Sequence, residues 1–287
     1  MKIPAAATKT VLVTGCSSGI GAATARVLRD AGWTVYPTAR KAEDLAALKA
    51  DGFEPVALDL ADEASVERAA AFFLEKTGGR PGALVNNAGY CQAGALEDLG
   101  RAALRAQFEA NVLGPQQLIR AVLPAMKACG AGRIVNVSSV FGRIASPMVG
   151  AYCASKYAVE ALGDALRIEL TGTGVWVSLV EPGAILSRFR KNAAEALAAN
   201  AEGGGDFAGM YGREVERRRK QVKKRDFFTR PPEEVAAKIR HALESPRPWR
   251  RYRVTPSAWL VEAAVRLVPQ AWSDPLLARR MPKREKQ

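Results

Sequence analysis

The sequence predicts an α/β chain: one doubly wound parallel sheet with helices on both faces. Two observations carry this expectation. Short β-branched runs alternate with amphipathic stretches of helical length along most of the 287 residues, the order that builds βαβ units. The runs are also continuously apolar, as strands buried on both faces are, and do not alternate strictly with polar residues. Composition agrees, since 48% hydrophobic and 25% charged residues place the chain among globular proteins and its length suits a single large α/β domain.

In chain order, TVLVTG leads into the helical stretch IGAATARVLRDAG, then WTVYPTA, a second helix and EPVALDL, which completes βαβαβ. ALVNNAG follows, then a long helical stretch over residues 101–128, RIVNVSS, a helix over 152–170 and VWVSLVEPG. After Ser187 the pattern changes. An Ala-rich stretch, Gly203-Gly204-Gly205, the charged run REVERRRKQVKKR and a Pro-Pro helix start at Pro231 mark an inserted, mobile segment expected to cover a substrate. RYRVT supplies a last strand, and the apolar helix SAWLVEAAVRLV precedes a basic tail. The expected division within one domain is a core over residues 1–187, a lid over 188–230, and a last helix, strand and basic extension over 231–287.

Scarcity narrows the chemistry. His241 is the only histidine, and Cys16, Cys91, Cys129 and Cys153 show no CxxC spacing, so no metal site is expected. No stretch reaches the apolar length of a membrane span and the N-terminus lacks a signal-peptide layout, which predicts a cytoplasmic protein. The formal charge of +13 is unevenly spread: residues 1–187 hold 18 Lys+Arg against 17 Asp+Glu, whereas residues 188–287 hold 24 against 12. Nucleic acid is disfavoured as the partner of this basic part, because no RNA-binding motif is present and interleaved aromatics are sparse. The alternatives are plain solvation or an anionic membrane surface. The helix over 257–268 carries only Glu262 and Arg266 among its central residues, with Trp259 near its start and Trp272 just beyond. Too short to span a bilayer, it could lie in the interface or close a dimer. Weak, salt-sensitive peripheral membrane contact through the basic C-terminal segment is expected, together with a homo-oligomer, dimer or tetramer.

The first strand runs into Thr14, Gly15, Cys16, Ser17, Ser18, Gly19, Ile20 and Gly21. Glycines at a strand-to-helix turn let the backbone approach a pyrophosphate, and the helix N-terminus offers unpaired N–H groups. The same stretch fits G-x-S-x-G, the nucleophile elbow of α/β-hydrolases. That alternative requires His241 as base, in a stretch, KIRHALE, that reads as an ordinary surface helix, and it is disfavoured.

Tyr152 and Lys156 are four residues apart and share a helix face. A lysine cation beside a phenol favours the phenolate and is expected to lower the tyrosine pKa, giving a usable acid/base. Ser138 and Ser139 end the strand RIVNVSS, where a hydroxyl could polarise a carbonyl. A packed tyrosine next to a solvated lysine is the plain structural alternative.

Together, Thr14-Gly15-x-x-x-Gly19-x-Gly21, Asn86-Asn87-Ala88-Gly89, Asn111, Ser139, Tyr152-x-x-x-Lys156 and Pro182-Gly183 resemble, in order and spacing, the short-chain dehydrogenase/reductase family, over residues 8 to about 190. The resemblance implies a Rossmann fold and hydride transfer between a nicotinamide and a carbonyl or alcohol carbon. It implies Tyr152 as acid/base, Lys156 on the nicotinamide ribose, Ser139 on the substrate oxygen, and Asn111 anchoring a proton-relay water. The cofactor would further meet Gly15, Ser17, Ser18, Gly19, Ile20 and Gly21, Asp59 and Leu60 after the third strand, Asn87, Ala88 and Gly89, and Pro182, Gly183, Ile185 and Ser187. For Asn86 a backbone-bridging role is as good a reading as a cofactor contact.

At the end of the second strand, Ala39-Arg40-Lys41 offers no carboxylate for a ribose 2′-OH and a guanidinium for a 2′-phosphate, so NADP(H) is expected, with Ser17 or Ser18 as further donors. Tyr90, Cys91, Phe141, Ile144, Pro147, Met148, Val149, Leu186, Phe189, Phe207, Met210 and Tyr211 would surround the open side of the nicotinamide, a lining suited to a hydrophobic ketone or alcohol. VTGCSSGIG and the long C-terminal segment resemble steroid- and retinoid-type dehydrogenases. A non-catalytic dinucleotide-binding scaffold is the alternative, disfavoured by the complete Ser139, Tyr152 and Lys156 set.

Overall fold

The apolar runs are strands in a computed structural model that describes residues 2–201, 211–212, 214–217 and 229–278. They form β1 (Thr10–Val13), β2 (Thr34–Ala39), β3 (Val56–Ala57), β4 (Ala83–Asn86), β5 (Gly132–Val137) and β6 (Val175–Glu181); two short strands follow, β7 (Ala184–Ile185) and β8 (Thr229–Arg230), and then β9 (Arg251–Arg253). Seven of them make one parallel sheet in the order β3-β2-β1-β4-β5-β6-β9, with β1 between β2 and β4 through Val11↔Val35 and Val11↔Ala83. The strand order reverses direction between β1 and β4, which opens a crevice at the carboxyl ends of these strands.

The helices are α1 (Gly19–Asp30), α2 (Ala42–Ala50), α3 (Glu63–Lys76), α4 (Arg101–Phe108), α5 (Gly114–Ala128), α6 (Gly150–Glu169), α7 (Arg188–Ala201), α8 (Pro232–Glu244), α9 (Pro256–Leu267) and α10 (Gln270–Ala278). Successive strand residues serve opposite layers, as the pleat requires. Val11, Val13, Val35, Val85 and Val135 pack with Leu28 of α1 and with Val235 and Ile239 of α8. Leu12, Tyr36, Leu84 and Ile134 pack with Phe73 of α3, Leu118 and Val122 of α5, and Leu166 of α6. Each such side chain contributes about 1.5–3 kcal/mol on burial, so the sheet is held from both sides.

Two sequence expectations change. The helical stretch over 101–128 is interrupted: α4 and α5 are joined by a π-helical turn, Glu109–Leu113, that turns Asn111 inward. The segment after Ser187 begins and ends in a ladder, because β7 pairs with β8 in parallel (Ala184↔Thr229, Ile185↔Arg230) and Leu186 N–H donates to the Arg230 carbonyl. Glycines 203–205, Phe207, Met210, the basic run 218–225 and the tail 279–287 lie outside the described residues.

Candidate active site

The turn after β1 is closed so tightly that side chains are excluded. Gly15 has φ +74°, and a Cβ there would lie 2.8 Å from the Ala88 Cα. Gly19 has φ +58° and its Cβ would lie 2.9 Å from the Ser187 Cβ. Thr14 and Asn87 staple this turn to the end of β4. The Thr14 hydroxyl accepts from the N–H groups of Asn87 and Ala88, both at 2.9 Å, and Asn87 Nδ2 donates to the carbonyls of Thr14 and Gly15. The result is a bare backbone cradle at the N-terminus of α1, where N–H groups and the helix dipole favour a phosphate. A dinucleotide pyrophosphate fits this cradle, whose floor any Cβ would fill. Gly15, Ser17, Ser18, Gly19 and Ile20 line the cleft above it. Gly21 does not; it packs against the Gly15 carbonyl and Asn87, so its role is to seat α1 against the turn.

The cleft, about 1610 Å³, runs from this cradle past β4 and β5 to α7. Arg40, Lys41, Asp59 and Leu60 line its adenine-side end, with Arg40 Nη1 3.9 Å from Asp59 Oδ2 and its side chain 70% exposed. Asn87, Ala88 and Gly89 line the middle, and Pro182, Gly183, Ile185 and Ser187 line the opposite wall.

At the far end Ser139, Tyr152 and Lys156 converge, as the spacing predicts. α6 places Tyr152 and Lys156 one turn apart, both buried. Lys156 Nζ donates to the Val137 carbonyl at 2.8 Å and lies 5.8 Å from the centroid of the Tyr152 ring. The Ser139 hydroxyl accepts from Phe141 N–H at 3.2 Å and faces the Tyr152 phenol, on whose pKa it has a lowering influence. Burial lowers the Lys156 ammonium to about 8, with the Glu160 carboxylate opposing. The phenol differs from expectation. Burial pushes Tyr152 above its ordinary range, and Ser139 offsets only part of this, so it is a protonated donor at neutral pH and not a standing phenolate.

Asn111 sits behind the cleft wall at Gly89, where with Lys156 it lines a small cavity of about 20 Å³. Its Oδ1 accepts from Tyr90 N–H, and Nδ2 donates to the Tyr90 carbonyl and to Ser155 Oγ. Ser155, flanked by Tyr152 and Lys156, in turn donates to the Tyr152 carbonyl at 2.7 Å. Asn86 bonds Asn136 across β4 and β5 and is absent from the cleft wall, which favours the structural reading. The hydrolase alternative loses its base, since His241 does not line the cleft that Ser17 faces and packs instead against Trp249 and Tyr252.

On the open side, Phe141 and Phe189 flank Tyr152 with ring centroids 6.3 and 5.4 Å away, and Tyr90, Cys91, Ile144, Pro147, Met148 and Val149 complete the wall. Leu186 and Tyr211 do not line it. Tyr211 is instead a buried latch, its hydroxyl donating to Asp98 and accepting from Ala95 N–H. Arg188, Arg190 and Asn192 of α7, with Glu214 and Arg217, add a polar rim that sequence patterning missed.

A second missed feature lies beneath the site. Arg251 joins Glu160, Asp164 and Glu181, Arg253 joins Glu181 and Glu262, and Glu262 joins Arg143. Three of these carboxylates are buried, and burial raises the pKa of Glu160 and Glu181 against the pull of the arginines. The ladder ties α6, β6 and β9 to α9 around the segment that follows Ser139.

Comparison with known proteins agrees with this geometry. The family model for short chain dehydrogenases matches residues 9–198. The chain is 41% identical over 269 residues to the uncharacterized oxidoreductase YbbO of Escherichia coli K12, covering 94% of each chain. It is 33% identical over 273 residues to the NADPH-dependent 3-dehydrocapnine reductase of Ornithobacterium rhinotracheale, covering 92% of this chain and 94% of that one. The crystal structure of a short chain dehydrogenase from Burkholderia cenocepacia J2315 in complex with NADP superposes with a TM-score of 0.73 at 25% identity, over 96% of this chain and 99% of that one. The chain therefore belongs to the short-chain dehydrogenase/reductase family of oxidoreductases, which work with a nicotinamide cofactor.

Proposed function

We propose that this protein is an NADP-dependent reductase of a hydrophobic ketone, running in reverse on the corresponding secondary alcohol. The observation that carries the proposal is the convergence of Ser139, Tyr152 and Lys156, all buried, at the apolar end of one cleft. A dinucleotide held through its pyrophosphate on the cradle and through its ribose by Lys156 would supply or take the hydride. Ser139 and Tyr152 hold the carbonyl oxygen, and as negative charge develops on it the Tyr152 O–H transfers its proton there, forming the alcohol and leaving a phenolate. The Lys156 ammonium, anchored on the Val137 carbonyl, stabilises that phenolate and holds the ribose. Asn111 and Ser155 are positioning residues that fix the Tyr90 backbone and the Tyr152 turn. Phe141 and Phe189 exclude water from the reacting carbon and favour an apolar substrate.

NADP preference rests on Arg40 and Lys41 at the tip of β2, two exposed cations that a 2′-phosphate would draw from their surface pairs with Asp59 and Glu43. The NADPH dependence named for the Ornithobacterium relative and the NADP held by the Burkholderia neighbour point the same way. A panel of hydrophobic ketones tested with NADPH and with NADH, followed at the reduced-nicotinamide absorbance, tests the proposal. Turnover with NADPH that falls about 10²- to 10⁴-fold in Tyr152→Phe, with NADPH still bound, is expected. Tyr152→Phe retaining half the kcat would overturn the acid assignment, and equal affinity for NADH would overturn the cofactor assignment.

A further inference from the structure

α9 is built inside out. Its one acid, Glu262, points inward, 6% exposed and paired with Arg143 at 3.2 Å and Arg253 at 3.1 Å. Its outward stripe is apolar: Trp259, Leu260, Ala263 and Leu267 follow helical spacing and all are exposed, Leu267 by 80%. The surface continues through Val265 and Val268 to Trp272 of α10, 71% exposed. Six of the twelve large hydrophobic side chains exposed among the described residues fall between residues 259 and 272. Single exposed apolar residues need no explanation, but a contiguous face of this kind marks a contact surface.

Charge says what the face meets. Arg253 lies over the Trp259 ring at 5.0 Å. Beyond α10 the sequence continues ArgArgMetProLysArgGluLysGln, five basic residues against one acid. Anionic headgroups complement this excess of basic residues in the sequence, whereas a second copy of the chain carries the same excess. Twelve residues at 1.5 Å each make α9 about 18 Å long, too short to cross a hydrocarbon core of about 30 Å but sufficient to lie in its surface. The other side of the same helix borders the active site, since Ser257 and Val261 line the cleft.

We propose that the α9–α10 face docks on an anionic lipid bilayer, with Trp259, Leu260, Leu267 and Trp272 in the headgroup–acyl boundary. The proposal stands apart from the choice of ketone, because it rests on the outer face alone.

The experiment is co-sedimentation of the full chain, loaded with NADP, with vesicles of phosphatidylcholine alone or mixed with phosphatidylglycerol. Pelleting with the mixed vesicles at low salt, little with phosphatidylcholine, and release at about 1 M salt, where the Debye length is about 3 Å, are expected. Trp259→Ser/Leu260→Ser, which changes only exposed side chains, is expected to lower vesicle affinity about tenfold or more while NADPH binding and thermal unfolding stay as in the parent. Failure of the parent to pellet with anionic vesicles, or equal pelleting by the double variant, overturns the proposal. So does a parent dimer in sedimentation velocity that the double variant converts to monomer without any vesicle binding, which assigns the face to a second copy.

Discussion

Lys156→Met should stabilise the fold while removing the activity. The buried Lys156 ammonium ionises at about 8, against 10.5 for the group in water. At about 1.4 kcal/mol per pH unit, the protonated form costs the folded state about 3 kcal/mol. Methionine keeps most of the volume and removes the charge, but forfeits the hydrogen bond to the Val137 carbonyl, worth about 1 kcal/mol. The net expectation is a gain of about 2 kcal/mol at pH 7. Its pH dependence carries a definite sign. Below pH 8 both the folded and unfolded parent hold the proton, so the parent bears the full cost and the variant its full advantage. Between about 8 and 10.5 the folded parent has released the proton that the unfolded chain still binds, so parental stability rises and the advantage shrinks. Near pH 10.5 only the lost hydrogen bond remains and the order of stabilities inverts. Urea unfolding of both proteins from pH 6 to 10, followed by tryptophan fluorescence, reads this directly. A variant less stable than the parent at pH 7, or a difference that does not change with pH, would refute the reasoning.

Replacing Arg40 by Asp should weaken NADPH binding about ten- to a hundredfold, the equivalent of one charge-assisted contact of about 1.5–3 kcal/mol, and improve NADH binding; fluorescence titration with both cofactors checks it. Gly21→Ala should push the glycine turn off Asn87, because the added carbon meets the Gly15 carbonyl and lies 2.6 Å from Asn87 Nδ2. A loss of about 1–3 kcal/mol in stability and at least about tenfold in NADPH affinity is expected, and native affinity would contradict the packing role. Tyr211→Phe leaves Asp98 and Ala95 N–H without their shared hydroxyl, a change of about 1–3 kcal/mol confined to the substrate side. Its KM for the ketone should rise about tenfold with the NADPH dissociation constant unchanged, and equal effects on both would remove the latch from the substrate side.

The first six strands were legible because each lies in an apolar run between turn residues, whereas β7 and β8, two residues each, leave no such pattern; the glycine turn was legible because its glycines sit where backbone must approach backbone. Tyr152 and Lys156 were legible because helical spacing alone puts them on one face. Other features depend on neighbours far along the chain. No glycine or proline precedes Gly114-Pro115 to signal the turn at Glu109–Leu113, so the inward placement of Asn111 was hidden. The direction of the Tyr152 pKa was misread because a local lysine suggests phenolate, whereas the burial supplied by Phe141, Phe189 and α7 decides the matter. Glu262 looked like a polar interruption in an apolar helix. Its pairs with Arg143, more than a hundred residues earlier, and with Arg253 show that it faces inward.

The small β7–β8 ladder has a consequence for how this site can diversify. Chain leaves the cofactor side at Ile185 and re-enters it at Thr229, two points already hydrogen-bonded together. With both ends fixed, a change in the length of the intervening segment adds a loop-closure cost of only about 0.6 kcal/mol per doubling, and its other cost is the packing of α7 and Tyr211 beside Tyr152. Pro182 and Gly183, on the near side of the ladder, keep their places. The segment is thus an exchangeable cassette, and a graft from a relative between residues 188 and 228, which keeps Ser187 against Gly19, should transplant substrate choice while leaving the dinucleotide cradle as it was.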